Sequence, residues 1–297
     1  MDRVLEYEIP SEYDGANITT VLKQHFKIST NLIKDLKKYK EGIQVNGEHK
    51  RVVDFVAKGD ILKITIRDTA SENIVPTDIP LDIVYEDEDV LVINKPPNMP
   101  THPSMGNYEN SLANGVMYYY KSKGEERVFR AVNRLDKDTS GLMAVAKNSY
   151  IHARLGEEIQ KKELKRKYMC IVCGDVERDG TVDAPIRRAD GSVINRIVAP
   201  DGQRAVTHYR VVKRYGEYTL LEMELETGRT HQIRVHMAYI GHPLVGDWLY
   251  GTEDHNIAKR QMLHSCYLCF AHPITGQIME FKDEMAEDMR AFIEKLS

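Results

Sequence analysis

The 297-residue chain has no apolar run that approaches the length of a bilayer span. Its first residues, Met-Asp-Arg-Val-Leu-Glu-Tyr-Glu, lack the charged-then-apolar profile of a secretion signal, so no membrane partner is expected and the cytoplasm is the expected compartment. Cysteine is scarce: four residues form two Cys-x-x-Cys pairs, Cys170/Cys173 and Cys266/Cys269. Such pairs can be drawn around zinc. Both, however, sit in strand-like text, Tyr-Met-Cys-Ile-Val-Cys and Ser-Cys-Tyr-Leu-Cys-Phe, where positions three apart face opposite sides. Ile-Val and Tyr-Leu are also poor turn residues, so buried thiols and no metal are expected. Regular βαβ alternation is missing too, which argues against a nucleotide-binding fold.

Nor is there a large excess of one charge, since 41 Lys and Arg stand against 45 Asp and Glu, for a net −4. That figure averages unlike parts. Residues 17–67 hold eleven Lys and Arg against five Asp and Glu, a balance of +6 that leaves −10 for the rest. A basic module is attached to an acidic body. Further basic residues cluster at Lys161, Lys162, Lys165, Arg166 and Lys167, and Arg187, Arg188, Arg196 and Arg204 punctuate the segment that follows. Such rows suit a phosphate track.

The length allows one large domain and one small one. Residues 18–26 and 29–40 read as helices; Ser29 can cap the second, with Leu32, Ile33 and Leu36 on one side and Lys34, Lys37 and Lys38 on another. A short strand in 42–48 ends in an Asn-Gly turn, and 61–66 alternates as a strand. Residues 69–80, with Ser71, Asn73, Pro76 and Pro80, read as a linker. Beyond it, strands are expected at 82–85, 90–94, 128–135, 142–146, 167–173, 206–213, 218–226 and 277–282, and helices at 111–121, 149–160, 230–240 and 283–296. The pattern predicts an α+β fold with a mostly antiparallel mixed sheet, divided as 1–68, 69–80 and 81–297.

One stretch concentrates polar groups. Residues 132–147 run from an apolar approach through Arg134-Leu-Asp-Lys-Asp-Thr-Ser-Gly to an apolar exit. In an extended approach Arg134 and Asp136 share a face while Leu135 is buried behind them, and Thr139, Ser140 and Gly141 turn the chain into a strand from Leu142. Spacing alone leaves two readings open: a carboxylate presented to a substrate, or a solvated hairpin with an ordinary ion pair.

The run Arg134-Leu-Asp-Lys-Asp-Thr-Ser-Gly-Leu resembles the catalytic motif of RluA-type pseudouridine synthases, which isomerise uridine in ribosomal and transfer RNA. Residues 227–236, Thr-Gly-Arg-Thr-His-Gln-Ile-Arg-Val-His, with Gly-His-Pro-Leu-Val-Gly-Asp at 241–247, resemble the second long signature of that family. Lys167-Tyr168 ahead of Ile171-Val172 and Gly174 resembles a third, and Asn94-Lys-Pro-Pro-Asn-Met-Pro-Thr-His-Pro-Ser a proline-rich loop. The resemblance spans about residues 80–281 and implies a synthase fold, RNA as partner (ribosomal first, transfer second), no cofactor, and a monomer. It also implies Asp136 as essential carboxylate, Arg234 as its ionic partner, and Tyr168 as a ring against the uracil whose hydroxyl assists proton transfer. Arg134, Arg229 and Gln232 are the expected RNA contacts in the body, with Thr230 capping the helix that carries Arg234 and the first-turn backbone open to phosphate. The basic module resembles the alpha-L (S-four-like) RNA-binding domain, with Lys34, Lys37 and Lys38 as its contacts, although Asn17-Ile-Thr-Thr replaces the usual Arg-Leu-Asp opening. Asn133 stands where the family most often has histidine. His231, His236 and His242 read as hydrogen-bonding residues, since their spacing is not that of a zinc pair. The competing reading is a non-catalytic RNA-binding protein that kept the fold.

Overall fold

The computed structural model describes residues 2–67, 74–251 and 257–296. Its N-terminal part contains β1 (Arg3–Glu8), α1 (Ile18–Gln24), α2 (Thr30–Leu36), β2 (Ile43–Val45), β3 (Glu48–His49) and β4 (Ile61–Ile66), with the strands ordered β1-β4-β2-β3. Asn17 and Ser29 cap the two helices, each side chain accepting from the backbone N–H three residues on, at 2.9 Å from Thr20 and 3.2 Å from Leu32. Helical spacing then buries Ile18, Val21 and Leu22 on α1 and Leu32, Ile33 and Leu36 on α2. Lys34, Lys37 and Lys38 are left exposed. Both helices are shorter than their spacing predicts; after α1 the chain reverses through Lys27, at φ 56°.

The body contains β5 (Asp82–Glu86), β6 (Val90–Lys95), α3 (Leu112–Ser122), β7 (Ser140–Ala146), α4 (Ser149–Gln160), β8 (Lys165–Cys173), β9 (Gly180–Asp183), β10 (Ile186–Arg188), β11 (Arg196–Val198), β12 (Val206–Arg214), β13 (Tyr218–Leu225), α5 (Gln232–Tyr239), β14 (Leu263–Ala271), β15 (Ile278–Lys282) and α6 (Glu287–Glu294). A nine-stranded sheet runs β5-β6-β7-β14-β8-β13-β12-β9, with β15 paired to β14. Among the described residues only β14 and β7 pair in parallel, through His264 with Ser140 and Ser265 with Gly141. The fold is therefore α+β with a mostly antiparallel sheet. The strand-like text around Cys266 and Cys269 forms β14, which lies between β7 and β8 in the sheet. The cysteine pairs lie on the neighbouring strands β8 and β14.

The expected strand 128–135 is not regular. Ala131 makes one isolated bridge to Val145, and the flanking residues bond to β7 from Val132 N to Ala144 O and from Ala146 N to Arg130 O, both at 2.8 Å. Beyond that point a side chain takes over the ladder, as Asn133 Oδ1 accepts from Ala144 N at 2.9 Å. This frees the backbone of 134–139 to leave the sheet. The turn comes earlier than expected, with Thr139 N bonded to Asp136 O at 3.1 Å, and Gly141 lies inside β7 rather than in the turn. Its φ of 109° suits glycine, and a Cβ there would collide with the Ser265 backbone, so glycine permits the β7–β14 contact.

The basic module and the body share one apolar cluster, in which Phe26, Leu32 and Ile64 belong with Val92, Tyr150 and Phe270. Arg3 forks onto Asp89 at 2.8 and 2.9 Å, and Tyr150 donates to Phe26 O at 2.8 Å. Of the expected linker, residues 69–73 lie outside the described residues. Its remainder is tied to α3, where Asn114 Nδ2 donates to Val75 O at 2.7 Å and its carbonyl accepts from Thr77 N at 3.1 Å.

Candidate active site

The turn bearing Asp136 alternates as its spacing predicts: Arg134 exposed, Leu135 buried, Asp136 partly open. Its carbonyls are held from outside. Thr101 donates its hydroxyl to Leu135 O at 2.9 Å, Lys95 Nζ and Met99 N reach Lys137 O at 3.1 and 3.0 Å, and Arg260 Nη1 reaches Asp138 O at 2.9 Å. Lys95 also donates to Pro96 O and Met99 O, at 2.7 and 2.8 Å, so one buried ammonium fastens the proline-rich loop to the turn. Burial pulls that lysine down to about 7, against the carboxylates of Asp138 and Asp136.

Arg234 comes to Asp136 from the first turn of α5. Its Nη1 lies 3.3 Å from Asp136 Oδ2, while Nε and Nη2 fork onto Asp247 at 2.7 and 2.8 Å. Burial opposes the charge of this guanidinium, but Asp247 and then Asp136 outweigh it and raise its pKa. Tyr250 lies under it, the guanidinium carbon 5.1 Å from the ring centroid. The Tyr250 hydroxyl lies 2.8 Å from His231 Nδ1 and accepts from Arg196 N at 2.9 Å, which ties β11 to this wall. His231 Nε2 is 3.9 Å from Asp136 Oδ1; burial lowers its pKa and so favours the neutral ring.

Tyr168 is buried in β8, where it pairs with Met223 and Ser265. Burial, with Asp136 adding to it, raises its pKa, so near neutral pH it is a phenol and not a phenolate. Asp136, Tyr168 and Arg234 line a single pocket of about 400 Å³, together with Arg134, Arg166 and Arg229.

Two expectations for α5 need correction. Thr230 does not cap it: the helix begins at Gln232 after His231, which takes the left-handed conformation at φ 58° and makes no cap bond. Gln232 folds back instead, accepting from Arg229 N at 3.0 Å and Thr227 Oγ1 at 2.7 Å, while its amide donates to Val206 O at 2.9 Å and Thr207 Oγ1 at 3.0 Å. Both ends of the Gln232 side chain are used internally, so it shapes the loop and is not placed as an RNA contact; the Arg229 N–H is likewise taken. The Arg229 side chain is exposed, its Nε on Arg204 O at 3.0 Å. Lys34, Lys37 and Lys38 are not brought to the pocket. His236 is buried between Thr207 Oγ1 and Ala184 O, at 2.8 and 2.9 Å, and His242 Nδ1 lies 3.0 Å from Cys173 O, hydrogen-bonding places as read from spacing.

Asp247, Lys95, Thr101 and Arg260 were not among the expected site residues. Asp247 closes the signature Gly-His-Pro-Leu-Val-Gly-Asp, and Lys95 and Thr101 lie in the proline-rich loop, so all three stood in motifs that could have marked them. Nothing local marks Arg260.

A family model described as RNA pseudouridylate synthase matches residues 89–239. A Bacillus subtilis protein named as an RNA pseudouridine synthase, YjbO, is 44% identical over 268 residues, covering 90% of this chain and 94% of that protein. The ribosomal large subunit pseudouridine synthase D of Pasteurella multocida is 40% identical over 268 residues, covering 86% of this chain and 83% of its own. Among solved structures, human RNA pseudouridylate synthase domain containing 4 superposes with a TM-score of 0.59 at 22% identity, over 72% of this chain and 92% of that one, a likeness of fold.

Proposed function

Because this chain belongs to the RNA pseudouridylate synthase family, we propose that it modifies ribosomal RNA of the large subunit, with Asp136 as the essential carboxylate and Arg234 and Tyr168 completing its site. The activity itself is that of an RNA pseudouridine synthase, an isomerase. The glycosidic bond from C1′ to N1 breaks, the uracil turns, C5 bonds to C1′, the C5 proton leaves and N1 gains one. Atoms and electrons balance without a redox partner.

The observation that carries the assignment of residues is the Arg234 bridge. One buried guanidinium, locked by Asp247, offers a remaining nitrogen to Asp136 at 3.3 Å in a pocket that also holds Tyr168. The bridge fixes the Asp136 carboxylate in place beside the sugar, where it acts at C1′ or in proton transfer at C2′. The neutral Tyr168 supplies a ring and an O–H donor rather than a phenolate base. Arg134, exposed at the rim, holds RNA after the target base leaves its stack. Ribosomal RNA as substrate supports a cytoplasmic location.

The N-terminal part fits an RNA-binding role through charge: Lys34 on α2 and Lys37 and Lys38 just after it are all exposed. Because that part shares a core with the body, its role is better tested by charge removal than by deletion. Replacing the three lysines with serine is expected to weaken RNA binding and reduce the slope of log K against log salt by about 2; an unchanged slope contradicts the role.

The proposed substrate is tested by incubating the protein with unmodified ribosomal and transfer RNA transcripts separately and mapping pseudouridine. Product in the large-subunit transcript is expected. Product confined to transfer RNA contradicts the ribosomal assignment while leaving the site residues standing.

A further inference from the structure

The pocket around Asp136 is lined by four arginines, and they differ in what holds them. Arg234 is committed to Asp247 and Asp136. Arg134 and Arg229 are exposed and can exchange any contact with water. Arg166 is different: it is only 7% exposed, and its Nε has no hydrogen-bond partner. Nor does any carboxylate among the described residues lie within ion-pair distance of it.

Strand geometry explains where it points. Arg166 and Tyr168 stand two apart on β8, so they share a face, and both line the pocket. Lys165 and Lys167, the alternate positions, face the other way, and Lys167 pairs there with Glu222 at 3.2 Å. The basic run 161–167 thus sends one charge into the pocket. The Arg166 Nη1 passes close to Gly228, where even an added Cβ would sit 3.5 Å away, so the loop carrying Arg229 leaves this guanidinium uncovered by any side chain at that position.

A buried, permanently charged group without an anion is costly, and such groups in folded proteins are paired with one. The described residues do not supply it. We propose that Arg166 is the phosphate-binding residue of the pocket, taking a backbone phosphate next to the target uridine while Tyr168, on the same strand face, meets the uracil. This rests on the reading of the pocket as the uridine site. A guanidinium suits the task because its planar fork matches phosphate oxygens, and its burial removes competing water from the contact. The proposal makes Arg166 a binding residue: it holds the strand in register and takes no part in bond making at C1′.

The test uses the full-length protein and a fragment of ribosomal RNA in which the wild type forms pseudouridine, synthesised with a neutral methylphosphonate at the phosphate on the 5′ or the 3′ side of the target. Arg166→Gln is expected to raise KM about tenfold to a hundredfold with kcat changed much less, to lower the salt slope by about 1, and to be partly rescued by Arg166→Lys. One of the two methylphosphonates should weaken wild-type binding by a similar factor and should cost the Arg166→Gln protein nothing further. Wild-type affinity that is indifferent to both neutral linkages overturns the proposal, and that arm needs no variant to fold. So does a loss on Arg166→Gln that multiplies with the methylphosphonate loss. Absence of pseudouridine in every RNA offered to the wild type is a separate result, which would instead remove the uridine reading beneath it.

Discussion

Asp136 and Asp247 are held by the same arginine and differ in almost everything else. Asp247 is fully buried and accepts four bonds, from Arg234 Nε and Nη2 and from the backbone of Leu249 and Tyr250 at 3.0 and 3.1 Å. Asp136 keeps 20% of its side chain exposed, takes a single arginine contact at 3.3 Å, and faces a pocket. A carboxylate whose lone pairs are spent on short bonds is inert structure, whereas one with spare lone pairs facing a pocket is available to a substrate. The fold devotes one acid to positioning the arginine so that the arginine can serve the other.

The contrast can be broken at its buried end first. Asp247→Ala leaves the Arg234 charge uncompensated in the interior, and the expected loss is about 3–5 kcal/mol of stability, read from urea midpoints. A loss under 1 kcal/mol would mean that Arg234 is anchored some other way. Arg234→Lys keeps the charge but not the fork; a reacting group misplaced by about 1 Å loses on the order of a hundredfold in kcat, and that is the expected fall. Tyr168→Phe keeps the ring and removes a hydroxyl that burial holds protonated, so activity should stay within about tenfold, the scale of one hydrogen bond. A fall of a thousandfold would give the hydroxyl an obligatory part in proton transfer. The smallest change is expected for Asn133→His. Asn133 Oδ1 serves the β7 backbone at 2.9 Å, a bond that a ring nitrogen can also accept, so kcat/KM should move by less than about fivefold, one ordinary hydrogen bond.

What could be read ahead of the structure follows from the range of the forces involved. Helix α4 was legible to the residue, and α2 at its Ser29 cap though not at its end, because caps and apolar spacing act within a few residues. The alternation at Arg134-Leu135-Asp136 was legible for the same reason. The strand expected through 128–135 was not realised, because the Asn133 side chain ends the ladder early, and periodicity does not report a side chain standing in for a backbone. Strand β14 was legible as strand-like text around its two cysteines, but its place in the sheet was not, because that is set by partners distant in sequence, Gly141 among them. At the site, Asp136, Tyr168 and Arg234 carried motifs, but what holds them did not read as a pattern. Lys95 caging three carbonyls, Arg260 reaching Asp138 O, and Gln232 folding back on Arg229 are tertiary contacts that no local spacing encodes.

One measurement separates most directly the part proposed for Asp136 in the chemistry from that of Asp247 in the scaffold. Pseudouridine formation by Asp136→Asn is compared with wild type on the same ribosomal RNA, alongside the melting temperature of both proteins. Asparagine keeps the shape but not the charge, so turnover should fall by at least about a thousandfold, as for loss of a group that reacts directly, with melting within a few degrees of wild type. Retention of more than about a tenth of wild-type turnover by a folded Asp136→Asn protein would contradict the central claim, and the carboxylate doing the chemistry would have to be sought elsewhere in the pocket.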